Sequence, residues 1–195
     1  MNAKQLRSPR QTRCIERRDA ILDAAASLLG EAGPGAVTMQ TVAQRAGSST
    51  GSMYHFFKDR DEVLVGLAAR HVEAMTTLLQ PAFAADDLFW KELTPDGVID
   101  ALFGRAIFYY ASHRDALATI KLMPASEMER FQALVRHVIC LRLGSEAGPA
   151  AAQTLFALST GTLHFLHDAE DDNLEQIAAT IPDALASYLS RLEGR

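Results

Sequence analysis

Cysteine is nearly absent from this chain of 195 residues; the two present are Cys14 and Cys140. Neither belongs to a Cys-x-x-Cys pair, so the pattern offers no structural zinc and no disulfide framework, and both read as plain reduced thiols. No apolar run approaches the ~20 residues that span a bilayer. The opening Met1-Asn2-Ala3-Lys4-Gln5-Leu6-Arg7 lacks the apolar centre of an export signal, so a cytoplasmic protein is expected. The chain has no Gly-x-Ser-x-Gly, no phosphate loop, no dinucleotide fingerprint and no His-Glu-x-x-His. Catalytic residues and cofactors are therefore not expected. Alternation of strand type is missing as well, and there is no internal repeat.

An overall excess of positive charge is also lacking, since the formal net charge is −5. The charge is unevenly divided, however. Residues 1–60 hold nine Lys and Arg against five Asp and Glu, while the remainder holds ten against nineteen. A basic end on an acidic body fits a protein that turns one end toward phosphates, although a solvated surface can show the same split by chance.

What the chain does have is helical periodicity. Residues 1–12 are polar, basic and interrupted by Pro9, and they read as a flexible arm. Arg7, Arg10 and Arg13 are placed to follow a DNA backbone or minor groove, or to form a solvated tail. From about Arg13, Ile21, Leu22, Ala25, Leu28, Leu29 and Ala32 form one apolar stripe, which Gly33-Pro34-Gly35 ends. Thr38 stands where an N-cap belongs, before a short helix with Val42, Ala43 and Ala46 inward. Gly47 breaks that helix, and Ser48 and Ser49 cap a third one running to about His55. Asp59 and Glu62 form a capping-box pattern before a long helix that Pro81 is expected to close. Further helices are expected over Pro95–Ser112, from Pro124 to about Leu143, and over 150–168 and 173–192. Breaks fall at Gly144-Ser145, at Gly148-Pro149 and at the acidic run Glu170-Asp171-Asp172. Pro182 should kink the last helix or mark a restart. The fold class is all-α, with about nine helices.

The informative stretch is Thr38–Lys58, TMQTVAQRAGSSTGSMYHFFK. Two short helices meet at Ala46-Gly47, which is a helix-turn-helix layout. The outward side of the second of them carries Ser49, Thr50, Gly51, Ser52, Tyr54 and His55. Short, hydrogen-bonding side chains are what base edges in a major groove require. Thr38 and Ser49 suit phosphates, and Tyr54 and Lys58 are within reach of the backbone beyond. A serine- and glycine-rich connector is the plainer alternative, but the aromatic block Tyr54-His55-Phe56-Phe57 is foreign to a connector.

Residues 17–65 resemble the N-terminal domain of TetR-type repressors. The likeness rests on Ile21-Leu22-Asp23-Ala24-Ala25, Val42-Ala43-Gln44-Arg45-Ala46-Gly47, Ser49 through Lys58, and the restart at Asp59–Leu64. It implies a helix-turn-helix DNA-binding domain over 13–60 and a ligand-binding and dimerisation domain over 61–195. It also implies a homodimer that represses transcription from a palindromic double-stranded DNA operator and is released by a small, mostly apolar effector. In such a family the positions of Thr50, Ser52 and His55 approach bases, while those of Thr38, Ser49, Tyr54 and Lys58 hold phosphates; Ser48 and Gly51 complete the candidate surface. Two departures stand out. Ser48 occupies a place usually held by a small apolar residue, and Thr41 replaces the acidic partner of Thr38. A DNA-binding regulator without ligand control, and a helical enzyme, are the alternative readings.

In the acidic body, Trp90, Phe103, Phe108, Tyr109, His113, Met123, Met128, Phe131 and Thr160 are candidates for the effector pocket, each against a plain core role. Arg105 and His137 are further candidate polar anchors. The last two long helices, with Ala150-Ala151-Ala152, Ala157, Ser159, Gly161 and Thr162, are the expected dimer interface. His164, His167 and Asp168 lie close enough in sequence to suggest a metal, but no fourth ligand accompanies them, and no metal site is expected.

Overall fold

The computed structural model describes residues 9–168 and 174–194. Every regular element among them is helical, and none is a strand. The chain divides into two compact units between Ala68 and Ala69. Arg7 and the run Glu170-Asp171-Asp172 lie outside the described residues.

The first unit contains α1 (Pro9–Ala32), α2 (Met39–Arg45), α3 (Thr50–Met53) and the start of α4 (Arg60–Ala84). Helix α1 begins four residues ahead of the expected Arg13, inside the segment read as an arm. Proline has no N–H to lose at the first position of a helix, so Pro9 opens it without cost. Of the expected stripe, Ile21, Leu22, Ala25 and Leu29 are buried, as are Val42, Ala43, Met53, Phe57, Val63 and Leu67, whereas Leu28 is half-buried and Ala32, at the end of the helix, is exposed. Each large apolar side chain buried in this way contributes about 1.5–3 kcal/mol.

Helix α4 runs through the boundary into the second unit and, against expectation, passes Pro81 to end at Ala84. Pro81 is exposed and lies in the last turn. The carbonyl that its missing N–H would have satisfied is that of Thr77, also exposed, which water can reach. Asp86 then caps α5 (Asp87–Glu92) and Thr94 caps α6 (Pro95–Ile99) through hydrogen bonds to Phe89 N and Gly97 N. A π-helical turn, Asp100–Gly104, joins α6 to α7 (Arg105–Ser112), so the helix expected over 95–112 is present with one widened turn inside it. Helix α8 (Arg114–Thr119) and a 3-10 turn (Ile120–Leu122) follow.

Helix α9 (Ala125–Asp168) is two rods meeting at a corner, Gly144, with φ 77° and ψ 179°. Side-chain-bearing residues avoid that region, so the corner needs glycine. The second expected break is not there, because helix continues through Gly148-Pro149. Gly148 serves close approach instead: a Cβ on it would fall 2.6 Å from Cys140 Cα. Helix α10 (Leu174–Glu193) contains Pro182 and is a single element. The core of this unit includes Trp90, Val98, Ile99, Leu102, Phe103, Ile107, Leu117, Val138, Ile139, Leu155, Leu185 and Leu189. Arg142 ties its ends together, donating to the carbonyls of Trp90 and Leu93 at 2.6 and 2.8 Å and to both carboxylate oxygens of Glu193.

Among the described residues, no helix is long and apolar enough to cross a membrane.

Candidate nucleic-acid interface and ligand cavity

Both short helices of the first unit are started by hydroxyls. Thr38 Oγ1 accepts from Thr41 N at 3.1 Å, and Thr41 Oγ1 accepts in return from Thr38 N at 2.9 Å. The capping box is closed without an acidic residue. Thr41 also donates to Ala36 O at 2.7 Å, which anchors the preceding loop. Gly47 turns the chain at φ 61°, a left-handed angle that a Cβ disfavours. Ser48 N donates to Ala43 O at 2.9 Å, so its backbone closes the turn. Ser49 Oγ then accepts from Ser52 N at 3.1 Å and lies 3.0 Å from Ser52 Oγ.

Helix α3 has four residues, and the chain continues through Tyr54–Phe56 as turn. Phe57 N donates to Met53 O at 3.0 Å, which keeps the helical sense to that point. Met53 and Phe57 face the core, at 0% and 2% exposure. The opposite side is open: Thr38, Ser49, Gly51, Tyr54, His55 and Lys58 are exposed, and Ser48, Thr50 and Ser52 are half-buried. None of the nine candidate positions is buried. Asp59 Oδ1 accepts from Glu62 N at 2.9 Å, and the Glu62 carboxylate accepts from Lys58 N, which fixes the entry to α4.

Three arginines of this unit have structural work that the sequence did not reveal. Arg45 makes a two-pronged pair with Glu31 at 2.9 and 3.0 Å, joining the ends of α1 and α2. That guanidinium, with the Ser27 hydroxyl, holds the Glu31 carboxyl down to about 2. Arg60 donates to Val37 O and Pro34 O at 2.8 and 2.9 Å, and Arg18 lies 5.3 Å over the Phe57 ring. The basic count of the head thus overstates the charges available to a partner.

In the second unit, α4, α7, the 3-10 turn and both rods of α9 enclose a cavity of about 100 Å³. Of the nine candidate pocket residues, Phe103, Met123, Met128, Phe131 and Thr160 line it. The other four do not. Trp90 is core, with 1% exposure. Phe108, Tyr109 and His113 line a separate, more open cleft with Arg105 and α10 residues. His137 pairs at the surface with Asp87 at 2.8 Å. Tyr110 and Glu127 belong to the cavity and were not singled out. Burial, with Tyr109 nearby, pushes the Tyr110 hydroxyl up to about 12, so it remains a phenol.

Tyr109 and His113 sit beside a buried polar cluster. His71 of α4, at 5% exposure, lies 2.8 Å from Asp115 Oδ2 through Nε2 and 2.8 Å from the Tyr109 hydroxyl through Nδ1. His113 stacks on Tyr109 with ring centroids 4.2 Å apart. Burial works against the Asp115 charge, but the His71 hydrogen bond and charges outweigh it, and the carboxyl is held below its ordinary value. Nothing in the one-dimensional pattern distinguishes His71 from its apolar neighbours on the α4 stripe. His164 is exposed, while the side chains of His167 and Asp168 fall outside the described residues. Among the described residues, no three potential ligands gather around a metal position.

Comparison with known proteins adds to this geometry. Residues 21–67 match the family described as bacterial regulatory proteins, tetR family. Over 58 residues the chain is 41% identical to the HTH-type transcriptional repressor KstR of Rhodococcus jostii (strain RHA1), a match spanning 30% of this chain and 27% of that repressor. The whole fold resembles a TetR-like transcriptional regulator from Rhodococcus sp. RHA1, with a TM-score of 0.67, 18% identity and coverage of 97% of this chain and 100% of that one. It also resembles the transcriptional regulator FadR of Bacillus subtilis, solved in complex with stearoyl-CoA, with a TM-score of 0.58, 16% identity and coverage of 87% and 98%.

Proposed function

We propose that this chain, whose residues 21–67 match the tetR family and whose fold resembles that of a TetR-like regulator, acts as a dimeric transcriptional repressor that leaves its operator when a small molecule enters the body. The observation that carries the reading is the open face of α3. Ser49 and His55 are exposed and Thr50 and Ser52 half-buried, beside a core gripped by Met53 and Phe57. A major groove accepts a helix presenting such groups, and Thr38, Tyr54 and Lys58 flank it where phosphates run.

Dimerisation is supported by what α9 and α10 leave uncovered. Leu158 and Phe165 are exposed at 49% and 55%, beside the exposed Ala157 and Gly161. On α10, Ala179, Thr180, Ala184 and Ser187 are exposed and small. Ala151 and Ala152 belong instead to the chain's own core. A two-fold pairing of these faces presents two α3 helices to a palindrome, whose half-sites lie about 34–36 Å apart in the general helix-turn-helix case.

The signal has a material path. Helix α4 carries Val63 and Leu67 in the core of the first unit and Val72, Met75 and Leu79 at the cavity. The cavity is smaller than the ~300 Å³ of an ordinary small-molecule site. A ligand must then prise its walls apart, and binding favours a conformation in which α4 has moved. Operator affinity falls only if the ligand prefers that conformation.

The test is titration of the purified protein against duplexes from its own upstream region. Tight, salt-dependent binding by a dimer is expected, with Thr50→Ala and Ser52→Ala changing sequence preference. Indifference to those duplexes, or unchanged affinity in both variants, refutes the assignment of α3.

A further inference from the structure

The cavity's lining has one sign. Glu127 is its only charged side chain among the described residues, and no Lys, Arg or His lines it. The Ser159 and Thr160 hydroxyls each donate to Phe156 O at 2.8 Å, so a ligand meets them as acceptors. Phe83, Phe103, Phe131, Phe156 and Tyr110 contribute rings, whose faces carry negative potential. Carboxylate, the Ser159 and Thr160 lone pairs and ring faces favour positive charge, and the Tyr110 hydroxyl is a donor placed against them here.

The half-exposed end of this lining already holds a cation. The Arg130 guanidinium lies 4.1 Å from the centroid of Phe83 and 4.0 Å from the Glu127 carboxylate. Arg130 does not itself line the cavity, and its side chain is 52% exposed. It is a loosely held cation over a ring that belongs to the cavity.

We infer that the cavity selects a lipophilic cation, a compact apolar body bearing an amine or quaternary ammonium charge that displaces the Arg130 guanidinium from between Glu127 and Phe83. The inference rests on reading this cavity as the effector site and names the class of effector. The apolar body enters among Phe103, Phe131 and Phe156, while the charge stays near solvent beside Glu127. The cost of stripping water from a buried ion is thereby avoided. Attraction to a ring face and a carboxylate together is worth on the order of tenfold in affinity. An anionic ligand meets Glu127 as a like charge and must draw Arg130 away from it.

Calorimetry on the full chain with three probes of matched shape tests this: 4-phenylbutyltrimethylammonium, its tert-butyl carbon isostere and 4-phenylbutanoate. The cation is expected to bind about tenfold tighter than either of the others. Glu127→Gln should erase that advantage and leave the isostere unaffected. Arg130→Ala should tighten the cation, because the competing guanidinium is gone. Ala106 of α7 also lines the cavity, and Ala106→Phe, which fills it, should abolish binding of all three. Tighter binding of the carboxylate, weakened by Arg130→Ala, overturns the inference, as does equal binding of cation and isostere; both outcomes leave the sensing role standing. Cation binding that Ala106→Phe does not touch puts the site elsewhere and also overturns it. Glu127-dependent cation binding that leaves operator affinity unchanged upholds the charge selection and refutes the sensing role. No binding by any of the three removes both.

Discussion

Replacing His71 by leucine should unlock α4 from α7 and α8 at a cost that can be computed from the cluster. His71 bridges Asp115 Oδ2 through Nε2 and the Tyr109 hydroxyl through Nδ1, both at 2.8 Å. Leucine fills a similar volume and removes both bonds. A hydrogen bond to a charged group contributes about 1.5–3 kcal/mol, and a neutral one about 1 kcal/mol. The Asp115 side chain is 13% exposed and is left with little solvent to replace its partner. The expected loss is about 3 kcal/mol, or roughly 6–12 °C in Tm for a chain of this size. Urea unfolding followed by circular dichroism gives the number, and Asp115→Leu with the double variant completes a cycle. The double variant should recover at least about 1.5 kcal/mol of the summed losses, because an orphaned carboxylate is no longer present. The pH dependence has a definite sign. In the parent, Asp115 is held below its ordinary value, so its contribution is present above pH 3.8 and fades as pH falls through the folded value. Without His71, burial dominates and raises the carboxyl, which then takes up a proton on folding. The deficit should therefore narrow between pH 7 and pH 4. Additive losses in the cycle, or a deficit constant with pH, refute this account of the cluster.

Three other outcomes are expected. Lys58→Ala should weaken binding to all duplexes alike and reduce the slope of log affinity against log salt by about 0.9 in magnitude, read by fluorescence anisotropy across a salt series. Thr41→Val removes the return bond to Thr38 N and the bond to Ala36 O. It should cost about 1 kcal/mol in urea unfolding, while Thr41→Ser costs much less. Gly144→Ala should cost about 1–3 kcal/mol although nothing lies within 4 Å of the added methyl, because the penalty is in the backbone alone; an unchanged Tm refutes that.

The head was the legible part, and the reason is locality. Thr38, Gly47, Ser49 and Asp59 act within three or four residues of themselves, so their side chains announce helix starts and stops directly. The stripe on α1 has a three- and four-residue repeat long enough to be unambiguous. The body was less legible because a pocket is a relation among helices. Phe103, Tyr110 and Trp90 look alike in sequence, and packing alone sends two to the cavity and one to the core. Pro81 and Pro149 misled for a related reason. A proline ends a helix only where the carbonyl it orphans has no other recourse, and sequence does not show which carbonyls are wet. Arg45 and Arg60 were countable as charges but not as struts, since their partners are 14 to 26 residues away.

The corner at Gly144 has a consequence for how the proposed effector cavity can be reshaped. One rod of α9 brings Met128 and Phe131 to the cavity, and the other brings Phe156 and Thr160. The Phe131 and Phe156 rings stand 6.2 Å apart like the jaws of a vice whose hinge is thirteen and twelve residues away along each arm. Substitutions at that hinge, or where Gly148 seats against Cys140, would widen or narrow the gape without altering a single atom that a guest molecule touches. If the cavity is the effector site proposed above, selection for new chemical signals can work on the elbow and leave the palm alone.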